Sequence, residues 1–253
     1  MSTTSAALTD SSVMLRRNFK HILRNPVTVF NAALMPVVIM LLFVYVFGNA
    51  FKVGERYIEY ATPGMILLAI TYGLSGTAVS VNSDMAKGII NRFKVMNVSR
   101  GAVLTGHVVA TVLSTSVAIA VIIGMAFALG FRSPASAADW LGAIGIIVAT
   151  AFAAAWLTVA LGLSAKTPEA AGLTVVPLIM LPFLSSAIVP AAQMGQGFRQ
   201  FAQYQPFTPI IESLRGLLAG TPSGGYAAAA LGWCAGIALV GYVWSRATFT
   251  RRA

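Results

Sequence analysis

The apolar run ATPGMILLAITYGLSGTAVSVN at residues 61–82 is followed at once by SDMAKGIINRFKVMNVSR at residues 83–100. The first stretch contains no Asp, Glu, Lys or Arg, whereas the second contains four basic residues and one acid. A helix rises about 1.5 Å per residue, so the first stretch is long enough to cross the ~30 Å hydrocarbon core of a bilayer. The pair therefore predicts a membrane span that leads into a basic segment outside the membrane.

The rest of the chain repeats this apolar pattern. Of its 253 residues, 57% are hydrophobic and 9% are charged, whereas soluble domains carry about 25% charged residues. Five further runs lack Asp, Glu, Lys and Arg: 27–50, 102–130, 140–164, 170–191 and 225–245. We predict an all-α polytopic membrane protein with six transmembrane helices, forming one membrane domain over residues 1–253, with residues 1–8 as a disordered tail.

The distribution of charge predicts the orientation of the chain. If the N-terminus lies inside, twelve of the 17 basic residues fall on the inner side and five on the outer side, while the acids divide three to four. Basic residues are enriched in cytoplasmic loops, so we expect both termini in the cytoplasm of a cell-membrane protein. This asymmetry accounts for the net charge of +10 without a nucleic-acid partner.

Two amphipathic regions flank the spans. At helical spacing, residues 9–25 place apolar side chains on one side and basic ones on the other, which favours an interfacial helix over a simple basic flank. The segment 192–220 is too long for a turn and too apolar for a solvated loop. We expect two short helices there that re-enter the outer leaflet, with Thr208 as an N-cap and Glu212 paired with Arg215; a single surface helix is the alternative.

The basic segment after the second run has its own apolar stripe. Its members recur at helical spacing along residues 84–97: Met85, Ile89, Phe93 and Met96. On the cytoplasmic side such a stripe suits insertion into a groove of a partner protein. A basic helix that rests on lipid fits the pattern almost as well.

The sequence offers no credible catalytic set. His107 stands about two turns from Ser114 and Ser116, too far for a hydrogen bond along one helix, and no Cys/His spacing indicates a metal site. The spans lack carboxylates, which argues against proton coupling. The phosphate-binding pattern G-x-x-x-x-G-K-[ST] is absent, so we expect any ATPase to be another polypeptide.

At residues 84–106, DMAKGIINRFKVMNVSRGAVLTG resembles the loop after the second span in type-2 ABC exporter permeases, most closely those of the daunorubicin/doxorubicin-resistance type. The shared positions are Gly88, Arg92, Phe93, Ser99, Arg100 and Gly106. The stretch QYQPFTPIIESLRGLLAG at residues 203–220 is similar to the element before the last span in that family. The N-terminal amphipathic stretch also looks like the family's elbow helix.

The resemblance implies a transmembrane permease subunit of an ATP-driven exporter of lipophilic or amphiphilic substrates. It implies a second permease, identical or paralogous, and cytoplasmic ATPase subunits that bind the ATP and Mg; this chain itself would hold no cofactor and would not be an enzyme. Residues 84–97 would form a coupling helix that contacts the ATPase through Met85, Gly88, Ile89, Arg92, Phe93 and Met96. A stand-alone channel or sodium-coupled carrier is the alternative from the residues alone.

Two further sets of residues are candidates for the transport route. We expect spans two and five to line the substrate path, through Tyr72, Ser75, Gly76, Pro177, Pro182 and Phe183, although each position is also consistent with plain helix packing. The re-entrant segment would act as an outer gate, through Phe198, Phe201, Glu212 and Arg215.

The predicted orientation can be tested by labelling. A cysteine at Ser136 should react with a membrane-impermeant thiol reagent added to intact cells, because the loop before the fourth run is expected outside. A cysteine at Asn91 should stay unlabelled. Labelling at position 91 in intact cells would invert or break the predicted topology.

Overall fold

A computed structural model describes residues 26–48, 56–86 and 100–252, and every regular element in these ranges is helical. The longer elements are α1 (Pro26–Leu41, extended by a π-helix over Leu42–Phe47), α2 (Tyr57–Ala86), α3 (Arg100–Ala128), α4 (Ala137–Ser164) and α9 (Gly224–Arg252). The shorter ones are α5 (Pro168–Thr174), α6 (Val176–Met180), α7 (Gln196–Tyr204) and α8 (Phe207–Leu218), with 3-10 turns at Leu181–Leu184 and Ala191–Gln193. The predicted interfacial helix at 9–25 and the stretch 87–99 lie outside the described residues.

Four helices in the described ranges are long and apolar enough to cross a membrane, namely α2, α3, α4 and α9. Two shorter apolar stretches, Ala33–Val46 and Pro168–Leu184, accompany them. The prediction of an all-α membrane protein with several apolar helices is therefore confirmed. The count of six spans stays a prediction, because the first and fifth runs form shorter helical pieces.

Helix α2 lies at the centre of the bundle. Its first half is almost wholly buried, from Tyr57 through Thr71, and it contacts α1, α3, α4, α5 and α8. Helix α9 packs along α4 and leaves large side chains such as Trp233, Leu239 and Trp244 exposed. Exposed apolar surface of this extent on a long apolar helix is what a lipid-facing helix presents.

The predicted fifth run, 170–191, is not one continuous helix. Helix α5 ends at Thr174, α6 ends at Met180, and a 3-10 turn ends at Leu184 before residues 185–190 leave the helical conformation. Pro177 and Pro182 lie in this run, and proline has no backbone N–H to donate to the preceding turn. The two prolines therefore explain why this run folds in short pieces.

The two ends of the bundle can be told apart by their contacts. Residues 185–188 pack against the start of α2, while the turn between α4 and α5 packs against the end of α2. We name these the outer end and the inner end, following the orientation that the charges predict.

The segment before the last span forms two short helices, α7 and α8, as expected from the sequence. Their predicted return through the outer leaflet stays a prediction. The proposed N-cap at Thr208 is wrong: α8 begins at Phe207 with Pro206 at the cap position. The Thr208 hydroxyl instead accepts a hydrogen bond from the backbone N–H of Ser186 at 3.3 Å, so tertiary contact overrides the local capping pattern.

Close packing at the outer end leaves no room for a side chain at Gly64. A Cβ added to Gly64 of α2 would lie 2.6 Å from both the Cβ and the carbonyl oxygen of Ala187. We expect Gly64→Ala to lower the free energy of unfolding by about 1–3 kcal/mol, the usual cost of overpacking.

The measurement is the denaturation midpoint in detergent, with Gly145→Ala in α4 as the matched control. A Cβ at Gly145 meets nothing within 4 Å, so this variant should be neutral or more stable by about 0.5–1 kcal/mol. Equal stability of the two variants would contradict the close approach of α2 to residue 187.

Candidate functional site

Side chains from α2 donate hydrogen bonds to the non-helical backbone at residues 185–188, which we call the break. These four residues are buried and lie outside any helix, so their backbone groups lack helical partners. The Tyr60 hydroxyl donates to the carbonyl of Ser186 at 2.9 Å, and the Tyr57 hydroxyl donates to the carbonyl of Ile188 at 3.1 Å. Buried backbone groups outside regular structure need hydrogen-bond partners of this kind, since an unpaired buried polar group is costly.

Arg215 of α8 joins the same site. Its Nη2 donates to the carbonyl oxygen of Ser186 at 2.8 Å and to that of Tyr60 at 3.2 Å, and its Nε donates to the Tyr60 carbonyl at 3.3 Å. Its Nη1 donates to the carboxylate of Glu212 at 2.6 Å. The guanidinium also lies over the Tyr60 ring, 3.8 Å from the ring centroid. One side chain thus ties α8 to α2 and to the break.

We call this set the outer lock: Tyr57, Tyr60, Glu212, Arg215 and the backbone of residues 185–188. Its charge is largely internal, since the Arg215 and Glu212 side chains are 13% and 25% exposed and form an ion pair. A partly buried guanidinium is tolerated when its N–H groups are paired and its charge is balanced. The planar fork of arginine suits several oxygens at once, which a lysine ammonium on a flexible stem does not.

The sequence of α8 explains how the arginine reaches the break. Buried apolar residues at helical spacing, among them Ile211, Leu214 and Leu218, fix one face of α8 on the core. Glu212 and Arg215 follow at i and i+3, so they share a side next to that face. The predicted pair is present in the structure.

The other two predicted gate residues lie apart from the outer lock. Phe198 and Phe201 are on α7 and are 63% and 47% exposed. Phe201 borders an open groove of about 520 Å³, together with Leu181 and Tyr204. The structure therefore brings Glu212 and Arg215 into one cluster and leaves the two phenylalanines on a separate surface.

Sequence reasoning missed Tyr57 and Tyr60. The predicted second apolar run begins at residue 61, which leaves both tyrosines in the preceding loop. The available signal was a pair of tyrosines at i and i+3 directly before an apolar run, because the amphipathic ring of tyrosine is favoured where one end is buried and the hydroxyl finds a partner.

The predicted path residues differ in exposure. Gly76 and Pro177 are exposed, Tyr72, Ser75 and Phe183 are half-buried, and Pro182 is buried. Helices α2 and α5 contact each other, as two walls of one path would require. Their role in binding a substrate stays a prediction.

At the inner end, the structure describes only the start of the predicted coupling helix. Asp84 and Met85 belong to the last turn of α2, and Met85 packs against the bundle's own cluster that contains Val103 and Trp156. Asp84 pairs with His107 of α3, with 3.3 Å between Oδ2 and Nε2. The remaining predicted contacts lie outside the described residues: Gly88, Ile89, Arg92, Phe93 and Met96.

These features define a polytopic helical membrane protein in which an interrupted helix is closed at one end by a polar cluster. The chain belongs to the ABC-2 type transporter family, whose sequence model matches residues 9–219. That match ends directly after α8 and includes the whole outer lock. Members of this family are membrane subunits and not ATPases themselves.

Two relatives illustrate the similarity. The chain is 30% identical over 205 residues to the daunorubicin resistance ABC transporter permease protein DrrB1 of Streptomyces coeruleorubidus, covering 80% of this chain and 71% of the relative. It is 30% identical over 223 residues to the probable doxorubicin resistance ABC transporter permease protein DrrC of Mycobacterium tuberculosis, covering 86% and 79%. The resemblance to drug-resistance permeases is thereby confirmed.

The outer lock predicts a protected site at position 186. The Ser186 side chain is 1% exposed, so Ser186→Cys in a Cys234→Ala background should react slowly with a thiol reagent added outside. Replacing Arg215 by Lys removes the guanidinium that donates to the carbonyls of Ser186 and Tyr60. We expect labelling to accelerate about tenfold or more, since each ~1.4 kcal/mol of opening free energy is a factor of ten.

Tyr226→Phe serves as the control, because Tyr226 is an exposed tyrosine at the start of α9 and is not one of the residues of the outer lock. It should leave the labelling rate unchanged, whereas Tyr60→Phe should raise it. Equal rates in all backgrounds would show that the outer lock does not hold the break closed.

Proposed function

We propose that this chain is the transmembrane permease subunit of an ATP-driven exporter, which moves a lipophilic or amphiphilic substrate out across the cell membrane. The observation that carries the proposal is the outer lock in a chain of the ABC-2 type transporter family. A helix broken at membrane depth, and held by side chains from two other helices, is an element that can open and reclose. We assign the outer gate to this element.

The chemistry of the outer lock suits a gate. Each of its hydrogen bonds has an ordinary strength of about 0.5–1.5 kcal/mol net, and bonds from the charged guanidinium are stronger. Such bonds can be exchanged for water or for another part of the protein at modest cost. A substrate leaving toward the outer side would pass when Arg215 releases the Ser186 carbonyl and α8 moves away from α2.

The proposed substrate class rests on the lining and on the relatives. The predicted path is lined by aromatic and small side chains, for example Tyr72, Ser75 and Phe183, and contains few polar groups. This composition favours apolar ligands with one or two polar groups. The two relatives carry daunorubicin and doxorubicin resistance in their names. A drug, an antibiotic or a lipid fits both observations.

Energy would come from a separate cytoplasmic ATPase subunit that binds ATP and Mg. We propose residues 84–97 as the principal contact, because α2 runs directly into this basic segment and its apolar residues include Phe93. A second permease, identical or paralogous, would complete the transport path. Both termini would lie in the cytoplasm.

The test is reconstitution of the chain with the ATPase subunit from the neighbouring reading frame in lipid vesicles. Daunorubicin, doxorubicin and a lipophilic cationic dye are the probes. We expect ATP-dependent transport of at least one probe and a matching stimulation of ATP turnover. Probe movement that needs no ATP would overturn the exporter, and transport of none of the probes would overturn the proposed substrate class.

The coupling segment makes a separate prediction. Phe93→Ala and Gly88→Leu should each abolish transport while leaving membrane insertion intact, because losing a Phe from a packed groove costs about 2–4 kcal/mol and a leucine blocks close approach. The measurement is co-purification of the ATPase and its turnover with and without probe. A helix that only rests on lipid predicts mild effects at Phe93 and dominant effects of charge reversal at Arg92 and Lys94. Normal export by the Phe93→Ala, Gly88→Leu double variant with its ATPase bound would contradict the coupling proposal.

A further inference from the structure

Asn82 makes two hydrogen bonds at the inner end of α2. Its side-chain amide donates to the carbonyl of Gly162 at 3.0 Å and to the carbonyl of Ala165 at 2.8 Å. The residue is only 2% exposed. Gly162 lies in the last turn of α4 and Ala165 directly follows that helix, and the last four carbonyls of a helix have no partner within the helix. One side chain of α2 therefore caps the end of α4.

Packing around this cap is close. A Cβ added to Gly162 would lie 2.7 Å from the carbonyl oxygen of Ala78 and 3.0 Å from its Cα, so α2 and α4 touch backbone to backbone one turn before Asn82. Directly after the cap, Thr167 begins α5 by accepting a hydrogen bond from the N–H of Ala170 at 3.2 Å. Asn82 thus holds the turn from which the broken fifth segment starts.

The position of Asn82 along α2 gives this contact a mechanical consequence. It lies four residues before Ala86, where α2 ends and the segment proposed to contact the ATPase begins. Helix α3, which follows that segment, also contacts the end of α2, because His107 of α3 pairs with Asp84 of α2. Any displacement of the segment between α2 and α3 therefore reaches the bundle through an end of α2 that is bonded to the α4–α5 turn.

The two ends of α2 contact the same part of the fold. At the outer end Tyr57 and Tyr60 bind the backbone that follows α6 and its 3-10 turn, and at the inner end Asn82 binds the turn that precedes α5. Tyr60 and Asn82 are separated by about 33 Å of helix at 1.5 Å per residue. Helix α2 hence flanks the fifth segment from its beginning to its break.

We propose that Asn82 is a positioning residue for transport: it joins α2 to the α4–α5 turn, so that both move as one unit when the ATPase acts on the segment after α2. This inference rests on the proposed function. It assigns to Asn82 the transmission of movement, and not contact with the substrate or with ATP.

The first experiment removes the two hydrogen bonds. Asn82→Leu keeps a similar volume but removes the amide that donates to the carbonyls of Gly162 and Ala165. In the vesicle-reconstituted complex with its ATPase, and daunorubicin as the probe, we expect transport per ATP hydrolysed to fall about tenfold or more, the size expected when two ordinary hydrogen bonds are lost. Basal ATP turnover and ATPase binding should remain.

Thr77→Val is the matched control. Thr77 also lies on α2 and its hydroxyl is 2.8 Å from that of Thr111 on α3, so valine removes one interhelical hydrogen bond of α2 without touching the α4–α5 turn. We expect this variant to keep its coupling ratio. If Asn82→Leu merely lowers the thermal midpoint, as Thr77→Val does, and leaves transport per ATP intact, the positioning role is wrong.

A second experiment replaces the hydrogen bonds by a covalent link. In a Cys234→Ala background, Asn82→Cys combined with Ala165→Cys should be as poorly coupled as Asn82→Leu until a short bifunctional thiol reagent joins the two cysteines. Joining them should restore transport per ATP, while the Asn82→Cys single variant treated alike should gain nothing. Loss of residual transport on cross-linking would show that the joint must open in each cycle, which would overturn the inference.

The two proposals fail in different ways. If the unmodified complex moves the probe without ATP, the proposed exporter function fails, and if it transports none of the probes, the proposed substrate class fails. If the unmodified complex transports the probe and Asn82→Leu does so with the same yield per ATP, the proposed function stands and the role of Asn82 is rejected.

Discussion

The structure depends on one constraint, which is that the carbonyl groups of an interrupted helix must be satisfied where water is scarce. Residues 185–188 are buried and non-helical, and each unpaired polar group at membrane depth costs several kcal/mol. Tyr57, Tyr60 and Arg215 supply the missing donors. The buried first half of α2, the packing of α8 on the core and the close approach of α2 to Ala187 bring these donors to the break.

The same principle operates at the inner end with a different residue. There the Asn82 amide donates to carbonyls at the end of α4. Side chains of α2 therefore donate to backbone carbonyls of neighbouring segments at both of its ends. A helix that is bonded at both ends to the elements around a discontinuous segment is suited to transmit movement along its axis. This arrangement gives a physical basis for the proposed link between an ATPase contact at the inner end and a gate at the outer end.

The sequence predicted much of this fold, and the exceptions have physical causes. Apolar runs, the α7–α8 pair and the Glu212–Arg215 contact follow from local periodicity, which a sequence displays directly. Pro177, Pro182 and the tyrosine pair are local signals in the sequence. Which backbone groups Tyr57, Tyr60 and Asn82 bind is decided by long-range contacts, which no local pattern encodes. Thr208 shows the limit most clearly, because a residue with a good capping pattern instead accepts a hydrogen bond from the backbone N–H of Ser186, 22 residues away.

The central claim is that Tyr60 and Arg215 share the Ser186 carbonyl, and a double-mutant cycle on the free energy of unfolding tests it most directly. Tyr60→Phe and Arg215→Met each leave that carbonyl with one donor, whereas the double variant leaves it with neither. We expect the double variant to lose about 1–3 kcal/mol more than the sum of the two single losses, the cost of an unpaired buried acceptor. Additivity within about 0.5 kcal/mol would contradict the shared carbonyl and, with it, the outer lock.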